Sequence, residues 1–396
     1  MPFAYSISIL FLLCLSNNIA ANAVLLLAAF ACSLALIGRK ESIPEKELAI
    51  CAILCILALA LIDVLRGSFE SRAFFVESKI YLSIPLLSAA RWNCQLSNSL
   101  DILKRSFATV FFTYSLFSLI ASGFALRFSG YAPIPIFPIT YASVCAFILL
   151  SSNNTFSKLI WSVFLFFSGS LSAVFGLGAS ILFKELLTGS RRSKGGPYLA
   201  ELTARLTVIS IIAVFSFIYI ADVRGRDVFS IESLDRYMIY SSYLESLIND
   251  TSSNWLYLFI GYGSAGGAHF MEYLADATFY NWIQSFHGLY GNAVGYLLHS
   301  DYLRLFNLGG LFALAVFPYL LYKSITGCNG NFHSLKPGLQ CILLFTAFQS
   351  IFNSVLYTSS IQIIFWVYAR NSEWSLPSSD KPTNHLAPTN KFNQSV

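Results

Sequence analysis

Three polar clusters in the C-terminal half of the chain carry side chains that could bind an anion or move a proton. They are Asp235 with Arg236, the segment Gly261-Tyr262-Gly263, and the run His299-Ser300-Asp301-Tyr302 with Arg304 close behind it. An arginine guanidinium binds phosphate through two parallel hydrogen bonds, and an ordinary histidine exchanges its proton near neutral pH. The clusters therefore indicate a site for an anionic group beside a proton acceptor.

The composition of the chain indicates that these clusters belong to an all-α membrane protein. Of its 396 residues, 56% are hydrophobic and only 11% are charged, with a mean hydropathy of +0.63, whereas soluble domains are about 25% charged. The apolar residues form blocks of about 20, long enough as helices to cross a hydrocarbon core of about 30 Å. The net charge of +5 is dispersed between these blocks, which does not favour nucleic-acid binding.

The apolar blocks predict about twelve transmembrane helices. The predicted helices cover residues 3–17, 19–37, 48–65, 73–90, 106–126, 134–151, 157–170, 172–187, 205–222, 303–323, 337–353 and 356–370. The regions that follow are the first nine spans in 1–222, a large loop in 223–302, the last three spans in 303–370, and a polar tail in 371–396. The composition of the tail is typical of disorder.

Basic residues give the predicted helices an orientation. Most of the Lys and Arg residues between the spans lie in alternate connections, and the positive-inside rule places these connections and both termini in the cytoplasm. The opposite short connections carry only Arg66, Arg72 and Arg127. The sequence therefore predicts a multi-pass protein whose large loop lies outside the cytoplasm.

The large loop, 223–302, differs from the other connections in length and in composition. It contains no Pro or Cys but many aromatic residues, whereas a disordered linker is poor in aromatics. We therefore expect the loop to fold against the membrane surface. Apolar residues from Tyr237 to Leu247 recur at helical spacing, which predicts an amphipathic helix over 233–248 with Ser233 as its N-cap.

Each polar cluster, taken alone, also fits an ordinary structural role. Arg236 could contact anionic lipid headgroups, the glycine-rich segment could be a turn, and His299 could cap a helix with its ring in water. Arg304 could extend its charged end to the membrane interface. Ionisable residues at membrane depth are nevertheless costly and usually functional, and the loop returns His, Asp and Arg to one side of the membrane. We therefore expect one functional site there.

In their order along the chain, these residues resemble a known family. Arg236, Gly-Tyr-Gly at 261–263, His299-Ser-Asp-Tyr-Leu-Arg, and Gly309-Gly310 follow one another as in the O-antigen polymerase and O-antigen ligase superfamily. Its members are bacterial inner-membrane glycosyltransferases with a large periplasmic loop late in the chain. The motif resemblance covers about residues 160–325, and outside this range only the hydropathy and the number of spans agree.

The resemblance implies a role for each matching residue. Arg236 matches the loop arginine associated with the lipid pyrophosphate, His299 matches the histidine taken as essential or catalytic in the ligase branch, and Gly310 matches a glycine of the following helix. His299 would act as base or orienter, with Asp301 as the alternative. The loop aromatics would stack on sugar faces or line the lipid entry. Substrate binding would involve Arg236, Arg304, Gly261, Gly263 and Arg72, with neither a metal nor a cofactor.

One stretch departs from the family pattern. Many members have a Ser-Arg pair where the seventh and eighth spans meet. Here Leu171 stands where that arginine is expected, within the stretch Ser168-Gly169-Ser170-Leu171-Ser172. A second anion-binding arginine would then come from elsewhere, and the candidates are Arg72, Arg127, Arg224, Arg226 and Arg304.

The implied function is polymerisation of undecaprenyl-pyrophosphate-linked oligosaccharide repeats at the periplasmic face, for O-antigen or a related polysaccharide. A ligase that transfers the glycan to lipid A-core is the nearest alternative. A lipid-linked oligosaccharide flippase and a non-catalytic scaffold are alternatives of other classes, although a transporter would favour an internal repeat that the sequence lacks. The implied partners are the lipid-linked oligosaccharide, membrane lipids, a chain-length regulator and a flippase, with no nucleic acid.

Overall fold

The computed structural model describes most of the chain between residues 2 and 357. The described ranges are 2–16, 18–37, 43–82, 94–132, 134–189, 235–267, 298–326 and 337–357, with isolated residues at 84, between 204 and 219, and at 270, 332 and 335. Within these ranges some side chains are outside the description, among them those of Arg72 and Arg236. Every regular element in the described ranges is helical, which confirms the predicted all-α class.

Before the large loop, the described residues form a series of α-helices. They are α1 (Pro2–Leu15), α2 (Ile19–Ile37), α3 (Ile43–Arg66), α4 (Ser71–Ser78), α5 (Cys94–Ala121), α6 (Pro138–Ser151), α7 (Thr155–Phe167) and α8 (Leu171–Gly189). A 3₁₀ turn, Lys79–Leu82, continues α4. From the large loop onward, the helices are α9 (Asp235–Ser253), α10 (Leu256–Ile260), α11 (Asp301–Thr326) and α12 (Pro337–Phe352).

Most predicted spans coincide with an observed helix, and the differences have physical causes. The predicted span 134–151 begins only at Pro138, because prolines restrict the residues before them to extended backbone and favour the first turn of a helix. The predicted span 73–90 is not one continuous α-helix in its described part, since α4 gives way to the 3₁₀ turn at Lys79. α5 begins at Cys94, earlier than predicted.

Two of the later predicted spans lie largely outside the described residues. Within 205–222 only isolated residues are described, each of them helical. Within 356–370 only Leu356 and Tyr357 are described, and they lie in a turn. The tail, 371–396, is also outside the described residues. The number of twelve spans therefore stays a prediction.

Two of the described helices are long and apolar enough to cross a membrane, namely the Lys46–Arg66 part of α3 and the whole of α11. Helix α3 is apolar on opposite faces. Its buried face includes Leu48, Ala52, Cys55, Leu59 and Ile62, and its exposed face includes Ile50, Leu54, Leu57, Leu61 and Leu65. A helix that is apolar all round either lies inside a core or spans a membrane, and α3 leaves one apolar face uncovered.

Two contacts join ends of helices that are far apart in the sequence, and the predicted orientation stays a prediction. Asn353, just after α12, donates a hydrogen bond of 2.8 Å to Ser172 Oγ at the start of α8. At the other end of these helices, Gly338 in the first turn of α12 lies against the carbonyl of Leu150 near the end of α6. The ends predicted to share a side of the membrane therefore meet in the structure.

Helix α11 is interrupted by Gly309 and Gly310, whose backbone angles are not helical. The short loop helix α10 packs against this interruption, so closely that a Cβ on Gly310 would lie 2.4 Å from the carbonyl carbon of Phe259. Only glycine permits such an approach of two backbones. The large loop therefore contacts α11 roughly two and a half turns beyond the start of that helix.

The described part of the large loop has a small apolar core that it shares with α11. Its buried members are Ile239, Tyr243, Tyr262, Phe270, Leu298 and Phe306. Ile239 and Tyr243 are four residues apart on α9 and face this core together, as an amphipathic helix requires. Helix α9 continues to Ser253, beyond the predicted end, while the predicted cap Ser233 lies outside the described residues.

Candidate functional site

His299 lies at the junction between the large loop and α11. It is half-buried, and its backbone is left-handed, with a φ of 46°. The hydroxyl of Tyr240 in α9 shares its single proton between the carbonyl oxygens of His299, at 3.4 Å, and of Ile351 in α12, at 3.2 Å. Left-handed backbone at a residue other than glycine is uncommon and clusters at functional sites. The backbone of His299 and that of α12 therefore meet at the Tyr240 hydroxyl of α9.

Arg236 belongs to the helix that contacts His299. It lies in the first turn of α9, four residues before Tyr240, so the Cα atoms of the two residues lie on the same helix face. Arg236 thus belongs to the same helix as Tyr240, which contacts the backbone of His299. Arg72 lies in the first turn of α4. The side chains of both arginines are outside the described residues, and their binding roles stay predictions.

Asp301 is fully buried at the first position of α11. Its Oδ2 atom accepts hydrogen bonds from Ser350 Oγ at 2.7 Å and from the backbone N–H of Leu356 at 2.8 Å. An acidic residue is also favourable in the first turn of a helix because of the helix dipole. Asp301 therefore fastens the turn after α12 to the start of α11, which is a positioning role beside His299 rather than an exposed base.

Arg304 forms a buried ion pair with Glu77 of α4. Its Nε and Nη2 atoms donate to the two carboxylate oxygens at 2.7 and 2.8 Å, and the two side chains are only 1% and 2% exposed. The guanidinium carbon also lies 3.8 Å from the ring centroid of Tyr357. The two donors of Arg304 that would bind a substrate phosphate are thus already bonded to Glu77. We correct the predicted substrate-binding role of Arg304 to an internal, positioning one.

The predicted ligand glycines Gly261 and Gly263 take part in backbone packing. A Cβ on Gly261 would lie 2.6 Å from the backbone nitrogen of Gly310, and Gly261 has a φ of +65°. The next backbone N–H, that of Tyr262, donates to the carbonyl of Asn307 at 2.8 Å. Gly261 and Gly310, which belong to two parts of the family-like pattern, therefore lie against each other. This geometry fixes the loop to the interruption in α11.

Gly263 allows the loop to reach the end of α3. The carboxylate of Asp63 accepts hydrogen bonds from the backbone N–H of Ser264 at 2.6 Å and from Ser264 Oγ at 2.5 Å. A Cβ on Gly263, with a φ of +87°, would overlap Asp63 and Ser68. The glycine-rich segment therefore contacts both α3 and α11, two helices that are far apart in the sequence. The contacts described for it are with other parts of the protein.

The buried loop aromatics form the interior of the loop core. Tyr243, Tyr262 and Phe270 are each at most 4% exposed, so they are not available to stack on a sugar or to line a lipid entry, and that expectation is wrong for these three. Tyr262 donates its hydroxyl hydrogen bond to Asp250 Oδ2 at 2.5 Å. Burial, and then this bond to a carboxylate, raise the pKa of Tyr262 above its ordinary value.

Neutral polar side chains gather near Leu171, at the position where the family pattern has an arginine. Ser172 Oγ accepts from Asn353 Nδ2 at 2.8 Å and from Gln349 Nε2 at 3.5 Å. Both amides are buried. The side chains described around Ser172 are thus hydroxyls and amides, while Arg127 reaches the same junction through its backbone N–H, which donates to the carbonyl of Phe167 at 2.9 Å.

Sequence reasoning missed the partners of the charged residues. Glu77 and Asp63 each lie in an apolar run, and each is almost fully buried in the structure. Glu77 and Lys79 interrupt the predicted fourth span. A carboxylate at membrane depth needs a cation or strong donors nearby, so that interruption was the available signal. Lys79 also interacts electrostatically with Arg304 and Glu77. Among the described residues, no cluster of His, Cys, Asp and Glu has the form of a metal site.

Comparisons with protein-family models, with curated proteins and with solved structures find no match to this chain.

Proposed function

We propose that this protein is a membrane glycosyltransferase that polymerises lipid-linked oligosaccharide repeats at the outer face of a bacterial inner membrane. The single observation that carries the proposal is the contact of α9 with His299, in which the Tyr240 hydroxyl donates to the His299 carbonyl. It joins the helix that bears Arg236 to the residue that would take the proton of the attacking hydroxyl. The order of the matching residues along the chain supports the same function.

Membrane insertion is supported by the surface of the helices. The uncovered apolar face of α3 suits lipid rather than water, since soluble proteins rarely expose large contiguous apolar patches. The contacts between helix ends fit alternating spans. In the proposed orientation both termini are cytoplasmic, about twelve helices cross the membrane, and 223–302 is periplasmic.

The proposed reaction transfers a growing glycan from undecaprenyl pyrophosphate to a sugar hydroxyl of the incoming lipid-linked repeat. A bond forms between the acceptor oxygen and the anomeric carbon, and the bond from that carbon to the pyrophosphate oxygen breaks. His299 takes the hydroxyl proton, a transfer that typically contributes about 10²–10⁴-fold to the rate when the base is well placed. Arg236 stabilises the negative charge on the leaving pyrophosphate.

The buried polar residues support this reaction indirectly. Asp301 holds the start of α11, and the Arg304–Glu77 pair fixes α11 against α4, so the backbone that carries His299 is rigid. Catalytic groups must be held in place by neighbours if proximity is to accelerate a reaction. The aromatic residues left on the loop surface, such as Trp255 and Phe259, are the remaining candidates for contact with sugar or lipid.

The test is a deletion strain complemented with the unchanged gene or with His299→Ala, assayed by lipopolysaccharide gel. A polymerase predicts core plus one repeat in the deletion and no rescue by His299→Ala, with lipid-linked repeats accumulating outside. Loss of every repeat from the core would indicate the ligase. Repeats trapped on the inner face would indicate the flippase. Full rescue by a well-expressed His299→Ala protein would refute the assignment of His299 and, with it, the proposed chemistry.

A further inference from the structure

Arg66, the last residue of α3, carries a charge that the described residues leave without an acceptor. Its Nε and Nη2 atoms are buried and make no hydrogen bond within the described part of the chain. The side chain as a whole is only partly buried. A shielded charged donor without an acceptor is costly, and such groups in native proteins require a specific explanation.

The guanidinium of Arg66 lies over an aromatic ring of the large loop. Its central carbon is 3.9 Å from the ring centroid of Tyr257 in α10, and the Tyr257 ring in turn lies 4.8 Å from that of Tyr262, measured between centroids. A cation over an aromatic face is held in orientation without using its hydrogen-bond donors. The loop therefore holds the Arg66 guanidinium in place and leaves its hydrogen-bond donors unused by the ring.

Arg304 has a similar arrangement over a tyrosine ring, but its donors are bonded to a carboxylate. Arg304 also lies over a tyrosine ring, that of Tyr357 at 3.8 Å, and its Nε and Nη2 atoms both donate to Glu77. In Arg66 the corresponding two atoms have no such carboxylate. The acid one turn earlier, Asp63, is already engaged by Ser264. Among the described residues, Arg66 is thus a guanidinium held over a tyrosine ring whose Nε and Nη2 atoms have no oxyanion partner.

The surroundings of Arg66 suit an oxyanion attached to a lipid. Its neighbours Val64, Leu65 and Phe69 are exposed, as are Trp255 and Phe259 on either side of Tyr257. A cation at the end of an apolar helix, with tryptophan nearby, is typical of the level of the lipid headgroups. At that depth the oxyanion available to a guanidinium is phosphate, which arginine binds through two parallel bonds.

We propose that Arg66, held on Tyr257, binds the phosphate of a membrane lipid at the outer face of the protein. The side of the membrane rests on the proposed orientation, in which Arg66 and the large loop share the outer face. If the lipid is the substrate carrier, which rests on the proposed function, Arg66 supplies the second anion-binding guanidinium. The family pattern expects that guanidinium at the position of Leu171. A glycerophospholipid headgroup carries the same phosphate chemistry.

The proposal is tested with the purified full-length protein in dodecyl maltoside by native mass spectrometry. The probes are farnesyl phosphate, dioleoyl phosphatidylglycerol, farnesol and inorganic phosphate. We expect the unchanged protein to bind at least one lipid phosphate, and Arg66→Ala to weaken that binding about tenfold or more. Arg66→Lys should lie between them, because lysine keeps the charge but not the paired donors. Tyr257→Phe, which keeps the ring, should bind like the unchanged protein.

Arg105→Ala is the matched control, since it removes one positive charge from an exposed site on α5. It should leave binding unchanged, and gel filtration should show all variants folded. Stronger binding of farnesyl phosphate identifies a polyprenyl carrier, and equal binding of both lipids identifies a headgroup site. The proposal fails if Arg66→Ala binds as well as the unchanged protein, as it would if only water satisfies Arg66. It also fails if farnesol or inorganic phosphate binds as tightly as the lipid phosphates.

The lipid-binding experiment and the test of the proposed function can fail independently of each other. His299→Ala should lose polymer but keep lipid-phosphate binding. If the unchanged protein forms no polymer in the deletion strain while its binding depends on Arg66, the glycosyltransferase proposal fails and the lipid-phosphate site stands.

Discussion

Arg304 and Glu77, 227 residues apart in the chain, form a two-bonded ion pair in the interior of the protein. The pair joins α11, which follows the large loop, to α4 near the beginning of the chain. Arg304 lies about one helical turn after Asp301 in α11, the helix that begins just after His299. The stability of the candidate site therefore depends on a contact between two distant parts of the sequence.

Removal of one member of this pair should be strongly destabilising. We expect Glu77→Gln to cost about 3–5 kcal/mol, because it leaves the Arg304 charge buried without its counterion. The measurement is thermal unfolding of the purified protein in detergent. The double variant Glu77→Leu with Arg304→Met should recover much of the loss, since it removes both charges. An unchanged melting temperature for Glu77→Gln would show that the pair contributes little.

Alanine at Gly310 should detach the large loop from α11. Its Cβ would overlap the backbone at Phe259, and Gly310 has a φ of +59°. The control is Gly123→Ala, because Gly123 has a φ of +64° and no atom within 4 Å of its added Cβ. A side chain is disfavoured at both positive φ values, but Gly310, with a ψ of −151°, lies in a region that is essentially restricted to glycine, so its strain adds to the overlap. Only Gly310→Ala should therefore speed limited proteolysis of the loop, and equal cleavage of the two variants would contradict this packing.

Asp301→Asn should show whether Asp301 positions the start of α11 or acts as the catalytic base. The change keeps the shape of the side chain but weakens its bonds from Ser350 and Leu356, so we expect a loss of stability of about 1–3 kcal/mol. The folded fraction should still form polymer in vitro, with the pH dependence of the unchanged protein. Ser350→Ala, which removes one donor, should destabilise less. Complete loss of polymer by a stable Asp301→Asn protein would instead support Asp301 as the base.

The contact of Tyr262 with Asp250 should persist across neutral and mildly alkaline pH. Burial and the bond to Asp250 raise the pKa of Tyr262, so the folded protein favours the protonated phenol. The resulting stabilisation is complete below the unfolded value of about 10 and is lost as the pH rises above it. Chemical unfolding from pH 6 to 11 should show a fall in stability above pH 10 that Tyr262→Phe reduces. Equal alkaline losses in both proteins would contradict this assignment.

The local features of the chain could be predicted from the sequence. Apolar blocks predicted most of the helices, and the spacing of residues around Tyr240 predicted α9, because helical periodicity depends only on residues a few positions apart. Proline positions explain the late start of α6. The sequence also predicted that His299, Asp301 and Arg304 are neighbours, because all three lie in or just before the first turn of α11.

The partners of these residues were decided by the tertiary structure. The sequence alone did not reveal that Glu77 would close the binding edge of Arg304, that Gly261 would lie against Gly310, or that Asp63 would hold Ser264. Each contact joins segments separated by many residues, and its existence depends on how whole helices pack. The sequence thus determined an all-α chain with its charged residues gathered near one loop. Packing decided which of those charges are neutralised inside the protein and which, like Arg66, keep an unmatched donor.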